Sequence, residues 1–282
     1  MMRFGVSMPA TDETANVVDV ARAVEDLGFE SFFLPEHTHI PASLQSKPPK
    51  GGDTPRHYFR FIDPLVALGA VAATTSTLKI GTAVCLVLTR DPIVLAKEVA
   101  TLDLLSGGRV LFGVGTGWNR EELANHGVPY EDRWEIYNEK LEAIRTIWTH
   151  DVATFSGKHV RFDPLYQWPK PVQSPHPAVL VADNRQRAFD DLVRVGDEWM
   201  PRVGVPGKPF LPHIPAVQRA AREVGKESFP VTVFSAEVDT AALSAYAESG
   251  VFRCVFRLEP AADMAQIGDQ LRRMADAKAG LL

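Results

Sequence analysis

Cysteine pairs and long apolar runs are both missing from this sequence. Its two cysteines, Cys85 and Cys254, are isolated in apolar segments without a C-x-x-C spacing, which argues against a disulfide framework and is typical of reduced core residues in a cytosolic protein. No apolar run approaches the roughly 20 residues of a membrane helix. An alternating strand follows Met-Met-Arg directly and leaves no room for a signal peptide. We therefore expect a cytoplasmic protein without a membrane partner.

Basic blocks are equally absent. The 30 Lys and Arg residues are scattered along the chain, and the formal net charge is −5. Proteins that bind nucleic acids carry a basic patch or stripe, so we expect no nucleic-acid partner. Apolar residues make up 45% of the 282 residues, which is ample for a core, and α/β barrels commonly have this length as one domain.

The most informative stretch is SGGRVLFGVGTGWNREE at residues 106–122. A helix ends at the glycine pair, residues 109–114 are predicted to form a buried parallel strand, and a polar loop follows. The glycines at 113, 115 and 117 do not form the G-x-G-x-x-G fingerprint of dinucleotide-binding proteins, because its last position is Trp118. A simpler interpretation is that these small residues let neighbouring elements approach closely.

The rest of the chain alternates between strand and helix patterns. We predict strands at residues 4–8, 31–34, 78–88, 109–114, 178–182, 198–201, 231–236 and 251–258, each followed by a helix. Eight such pairs predict a (β/α)8 TIM barrel, in the α/β class, as a single domain over residues 1–282. The long loop at 38–60, after the second strand, is predicted to be a lid. Residues 153–173 are predicted to be a short insertion between strands four and five.

Chemistry in such a barrel gathers where the strands end, and His37 is the histidine found there. Histidine titrates near neutral pH and suits proton transfer, so we take His37 and the neighbouring Glu36 as candidate catalytic residues. The alternative is a lone loop histidine held by a hydrogen bond. The pair His37 and His39 also has a metal-ligand spacing, but strands five and six end without histidine, and we predict no metal site.

Trp118 and Asn119 follow the central strand and offer an apolar plate beside an amide, which suits a flat heteroaromatic ring. Trp118 could equally pack against the next helix. Arg257 lies near the end of the last strand on the same face as Arg253, and we predict that it anchors an anionic substrate. The alternative for such an arginine is an ion pair with a nearby carboxylate.

Several segments together resemble a known family. The chain resembles the bacterial luciferase-like oxidoreductases, most closely the subgroup that depends on the deazaflavin coenzyme F420. The matching segments are LPEH at 34–37, LKIGT at 78–82, AKEVATLD at 96–103, residues 105–118 and WPKPVQ at 168–173.

The resemblance implies a role for each matching position. His37 matches an acid/base residue beside the ring of the cofactor, and Ala83-Val84 matches a bulge, often a cis peptide, that backs the ring. Ala182, Asp183 and Asn184 match the turn that takes the cofactor phosphate, although the family usually has two small residues where this chain has Ala182-Asp183. The other residues that we expect to bind the cofactor are Met8, Gly117, Trp118 and Asn119.

The resemblance also implies the activity. We expect an oxidoreductase that transfers a hydride between F420 and a small organic substrate. FMN is the alternative cofactor, with two alternative functions: an FMN-dependent luciferase-like monooxygenase or a flavin-binding protein without turnover. Because members of the family are commonly dimers, we expect a homodimer.

Overall fold

The structure, a computed structural model, describes residues 2–183 and 189–281. The strands in these ranges are β1 Arg3–Ser7, β2 Ser31–Leu34, β3 Lys79–Thr82, β4 Cys85–Leu86, β5 Val110–Gly115, β6 Val152–Ser156, β7 Arg161–Tyr166, β8 Ala178–Val181, β9 Glu198–Trp199, β10 Thr232–Phe234 and β11 Arg253–Arg257. The α-helices are α1 Val17–Asp26, α2 Pro64–Thr74, α3 Pro92–Ser106, α4 Arg120–Asn125, α5 Arg133–Thr149, α6 Phe189–Val195, α7 Ile214–Glu223, α8 Thr240–Glu248 and α9 Met264–Ala279.

Eight of these strands form a closed parallel barrel. They are hydrogen-bonded in the order β10, β11, β1, β2, β3, β5, β8, β9, with the short β4 paired to β5. Parallel bridges from Trp199 to Val231 and from Arg202 to Phe234 join the two ends of this order and close the ring. The predicted (β/α)8 TIM barrel is confirmed.

The helices begin at the capping residues that the sequence provides. The side chain of Asp63 accepts hydrogen bonds from Leu65 N and Val66 N, and Asp91 caps α3 in the same way; both are followed by proline at the first helical position. The α3 helix ends at Gly107, whose φ of +67° is in the left-handed region that glycine tolerates. None of the described helices is both long and apolar enough to cross a membrane.

Two predicted irregular segments and one unexpected helix interrupt the alternation. Strands β6 and β7 pair antiparallel with each other, outside the barrel sheet, at the place of the predicted insertion. The loop at 38–60 contains a short 3-10 helix, Arg56–Arg60, whose flank faces the barrel mouth. The prediction of a polar loop after β5 is wrong in one respect, because this segment contains the α4 helix. Asn119 starts that helix by accepting a hydrogen bond from Glu122 N.

An ion cluster around Arg253 fills the barrel near the amino-terminal ends of its strands. The guanidinium is 1% exposed and donates to Glu198 Oε1 at 2.7 Å, Glu30 Oε2 at 2.9 Å and Thr232 Oγ1 at 2.8 Å. Burial raises the pKa of Glu198, against the effect of the nearby Arg253. For Arg253, burial opposes the charge, but the carboxylates of Glu198 and Glu30 raise its pKa overall. Arg3 and Lys79 also pair with Glu30, so each carboxylate of the cluster has a cationic partner.

Candidate active site

A cavity of about 350 Å³ opens at the carboxyl ends of the barrel strands. This is the end at which TIM barrels carry their active sites. It brings together most of the predicted site residues: Glu36, His37, Ala83, Val84, Gly117, Trp118, Ala182, Asp183 and Arg257. Met8 and Asn119 are buried and do not line the cavity. Asn184 lies outside the described residues.

His37 follows β2 and is held by partners on both ring nitrogens. Its Nδ1 lies 2.7 Å from Glu122 Oε2, and its Nε2 accepts a hydrogen bond of 3.2 Å from the indole nitrogen of Trp118. An indole N–H can only donate, so Nε2 carries the lone pair and Nδ1 carries the proton in the neutral ring. The rings of Tyr58 and Phe61 stack on the same imidazole at 5.4 and 6.1 Å. Nε2 is therefore the basic atom of the site.

Glu122 is a residue of the site that sequence reasoning missed. Its side chain is 1% exposed, and its carboxylate accepts hydrogen bonds from His37 and from both the backbone N–H and the hydroxyl of Thr38. Burial alone raises the pKa of Glu122, but the bonds and charge of His37 and the Thr38 donors lower it overall. The only signal in the sequence is its place three residues after the Asn119 cap, where a glutamate is usually explained by capping.

Glu36 contacts different partners from its neighbour His37. Its Oε1 accepts from Arg90 Nε at 2.8 Å and from Arg90 Nη2, and its Oε2 accepts from Leu86 N at 2.6 Å. Burial opposes the charge on Arg90, but the contacts with Glu36 and Asp63 raise its pKa overall. Glu36 therefore fixes the segment that follows β3, and a catalytic role for it stays a prediction.

The bulge after β3 has the form that the resemblance implies. The Ala83–Val84 peptide bond is cis, and both residues line the cavity. Gly115 on the adjacent β5 makes room for this bulge, because a Cβ there would stand 2.8 Å from Val84 Cγ2. A Cβ at Gly113 would overlap the carbonyl oxygen of Thr82. These strand glycines therefore serve close packing, which is the simpler of the two interpretations.

The predicted phosphate turn is described only in part. Ala182 and Asp183 line the cavity after β8, and the carbonyl oxygen of Asp183 accepts a hydrogen bond of 2.6 Å from the Trp199 indole. Asp183 is itself buried. The assignment of this turn to a cofactor phosphate stays a prediction.

Arg257 lies at the mouth, four residues along β11 from the buried Arg253. Its Nη2 is 2.9 Å from Nε2 of His57 in the loop 38–60. Burial, and then the charge of Arg257, lower the pKa of His57, so the imidazole is a neutral acceptor at physiological pH. The predicted carboxylate partner is found for Arg253 and not for Arg257, within the part of the chain that the structure describes.

The sequence predicts that His37 and His39 do not form a metal site. His37 is engaged by Glu122, and Nε2 of His39 lies 2.7 Å from the side-chain amide of Asn125. Across residues 2–183 and 189–281, no three His, Cys, Asp or Glu side chains are grouped as metal ligands.

Comparison with known proteins identifies the family. A family model described as luciferase-like monooxygenase matches residues 2–278, so the chain belongs to the luciferase-like monooxygenase family. The uncharacterized protein Rv0953c of Mycobacterium tuberculosis is 43% identical over 202 residues, which is 71% of this chain and 72% of that protein. The FMNH2-dependent dimethylsulfone monooxygenase of Pseudomonas putida is 34% identical over 110 residues, 38% of this chain and 30% of that enzyme.

Solved structures support the same fold at low sequence identity. The monooxygenase RslO1 from Streptomyces bottropensis superposes with a TM-score of 0.82 over 98% of both chains, at 19% identity. The coenzyme F420-dependent tetrahydromethanopterin reductase from Methanopyrus kandleri gives 0.75 over 98% of both chains, at 15% identity. The structural neighbours of this fold thus include an F420-dependent enzyme as well as a monooxygenase.

Proposed function

We propose that this protein is an F420-dependent oxidoreductase that transfers a hydride between the deazaflavin and a small organic substrate. The observation that carries the proposal is the buried pair of His37 and Glu122 at the cavity wall. An imidazole with a carboxylate on Nδ1 and a hydrogen-bond acceptor at Nε2 is suited to taking up and returning one proton. Hydride transfer to or from an alcohol or carbonyl group requires that proton movement.

The residues of the cavity suit a flat ring with an anionic tail. Apolar side chains of Val84, Leu86, Met200 and Phe234 line it and offer surfaces for the ring. The cationic side chains of Arg133 and Lys208 line it as well and offer positive charge to the anionic tail. Ala83, Val84, Gly117 and Trp118 are the residues that we assign to the ring, and Ala182 with Asp183 to the phosphate. The bound deazaflavin supplies a two-electron hydride carrier, and the protein supplies position and charge.

In the proposed reaction, the role of the protein is proton transfer at one atom, Nε2 of His37. When a substrate hydroxyl is oxidised, Nε2 of His37 takes its proton, and the Glu122 carboxylate stabilises the imidazolium through Nδ1–H. In the opposite direction the imidazolium returns the proton to the product oxygen. The substrate oxygen takes the place that the Trp118 indole N–H occupies on Nε2. Trp118 thereby holds the base in its reactive tautomer until substrate binds.

An FMN-dependent monooxygenase is the second candidate. The observation that favours it is the 34% identity with the dimethylsulfone monooxygenase over 110 residues, although that match spans only 38% of this chain. The two functions differ in whether oxygen is consumed.

The test is a pair of assays on the purified protein. In the first, F420 and a panel of alcohols are mixed without oxygen, and absorbance of the oxidised deazaflavin is followed. In the second, reduced FMN is supplied and oxygen uptake is recorded with and without the panel. Alcohol-dependent deazaflavin reduction supports the proposal, and substrate-dependent oxygen uptake supports the monooxygenase. Binding without turnover in either assay would indicate a non-catalytic flavin-binding protein.

A further inference from the structure

We propose that Lys50, Arg202 and Arg257, which we call the basic rim, bind a carboxylate or phosphate group of the substrate. The inference rests on the proposed function and adds the chemical class of its substrate. Arg202 and Arg257 line the cavity, after β9 and at the end of β11, and the exposed Lys50 of the loop 38–60 lies beside Gly204 next to them.

The three side chains converge around the end of β10. Arg202 bridges to Phe234, and its guanidinium carbon lies 5.8 Å from the centre of the Phe234 ring. Arg257 ends β11, which pairs with β10 on the other side. Nζ of Lys50 lies 3.2 Å from the position that a Cβ on Gly204 would take, two residues beyond Arg202. Three cations from distant parts of the sequence thus share one side of the barrel mouth.

The charge of the cavity is opposite in sign to that of the chain. Arg133, Arg202, Lys208 and Arg257 line it against two carboxylates, Glu36 and Asp183, while the whole chain has a net charge of −5. The Glu36 carboxylate is already paired with Arg90. An excess of cations at the mouth raises the local concentration of anionic ligands.

Arg202 and Arg257 are near enough to Lys50 for their charges to act on it. Burial, followed by the charges of Arg202 and Arg257, lowers the pKa of Lys50. Two carboxylates act in the opposite direction, those of Glu237 and Glu259, but both residues are exposed and Glu237 accepts a hydrogen bond from Tyr246. An anion placed between the cations relieves this mutual repulsion and gains charge-assisted hydrogen bonds.

The position of Arg257 favours the substrate over the cofactor as the source of the anion. Arg257 contacts His57, and the His57 ring lies 4.9 Å from Tyr58, which in turn stacks at 5.4 Å on His37. Two aromatic rings, those of His57 and Tyr58, therefore lie between Arg257 and His37, the proposed base. The cofactor phosphate is assigned to the turn after β8, which neighbours β9 and Arg202, whereas Arg257 ends β11, three strands away from β8 around the barrel.

The first experiment measures binding of inorganic phosphate by calorimetry, without turnover. We expect Arg257→Gln and Lys50→Gln each to weaken phosphate binding about tenfold or more, since each removes a charge-assisted hydrogen bond. The matched control is Lys47→Gln in the same loop, whose lysine is exposed and paired with Asp53, and we expect no change. Equal binding by wild type and both rim variants, or no binding by wild type, would overturn the proposal.

A second arm separates the two sources of the anion. The titration is repeated on protein saturated with F420, and a substrate subsite keeps its phosphate affinity whereas a site for the cofactor tail loses it. With any active alcohol pair, Arg257→Gln should raise KM about tenfold for the anionic member only. Phosphate displaced by F420, or equal KM effects on the neutral member, contradicts the substrate assignment. Failure to bind F420 at all contradicts the proposed function instead, and the phosphate result then reports on the rim alone.

Discussion

The two ends of the barrel interior each contain an arginine of β11, but the partners of the two arginines differ. Arg253 and Arg257 lie on one face of β11, four residues apart. Arg253 is fully buried and bound by Glu30, Glu198 and Thr232. Arg257 is half-buried and is hydrogen-bonded to the neutral ring of His57.

The difference separates residues that maintain the fold from residues that we propose bind a ligand. A buried ion must be paired by the protein itself, because desolvation costs several kcal/mol per ion. At the mouth, solvent and ligands can provide the opposite charge, so the protein leaves cations in excess there. Substitutions at the amino-terminal end should therefore change stability, and substitutions at the mouth should change binding and turnover.

The largest effect is expected at the mouth, from His37→Ala. Loss of general acid–base catalysis should lower turnover by about 10²- to 10⁴-fold. The dissociation constant of F420 should stay within a few-fold, because the ring of His37 is assigned to the proton and not to cofactor binding. Steady-state deazaflavin reduction and fluorescence titration measure the two quantities. The control is His39→Ala, two residues away and bound to Asn125; unchanged turnover in His37→Ala would remove this residue from the mechanism.

At the other end, Arg253→Met should lower the free energy of unfolding by about 3–5 kcal/mol, since it leaves Glu198 buried without its cation. Urea denaturation followed by circular dichroism measures the loss. Arg257→Met is the matched control on the same strand, with an expected change of about 1 kcal/mol or less. Equal destabilisation by the two variants would abolish the distinction between the ends of the barrel.

A smaller effect on turnover is expected from Glu122→Gln. The amide cannot stabilise the imidazolium as the carboxylate does, and we expect turnover to fall about 10- to 100-fold, by analogy with the partners of metal-bound histidines. The adjacent Glu121→Gln is the control, since Glu121 interacts with Ser46 instead. Equal turnover in Glu122→Gln and Glu121→Gln would show that Glu122 has no role of its own in turnover.

The smallest expected effect is on the free energy of unfolding at acid pH. The folded-state pKa of Glu122 lies below its ordinary value of 4.5, so its ionised form stabilises the fold. This contribution is complete above the ordinary value and is lost as the pH falls through the folded-state pKa. The difference in unfolding free energy between wild type and Glu122→Gln should therefore shrink between neutral pH and about pH 3. A difference independent of pH would show that ionisation of Glu122 contributes nothing.

Much of the fold could be predicted because its signals are local. Apolar runs bounded by glycine and by the Asp-Pro caps at 63 and 91 give the strands and helices directly. His37 could be found for the same reason, since it follows a predicted strand and such ends meet at the barrel mouth.

The partners of these residues could not be predicted, because they depend on packing between distant segments. Glu122 is 85 residues from His37, and its one local signal, the third position after Asn119, is usually explained by capping. Glu36 is bound by Arg90, which lies 54 residues further along the chain. The sequence offered Glu36 as the carboxylate beside His37, whereas adjacent residues on an extended segment point in opposite directions.

The choice of cofactor is the central claim, and titration of the purified protein with F420 and, separately, with FMN tests it most directly. Quenching of ring fluorescence reports binding. The account predicts tight binding of F420 and much weaker binding of FMN, which would also show that Asp183 is compatible with the cofactor phosphate. Preferential binding of FMN, or binding of neither, would contradict it.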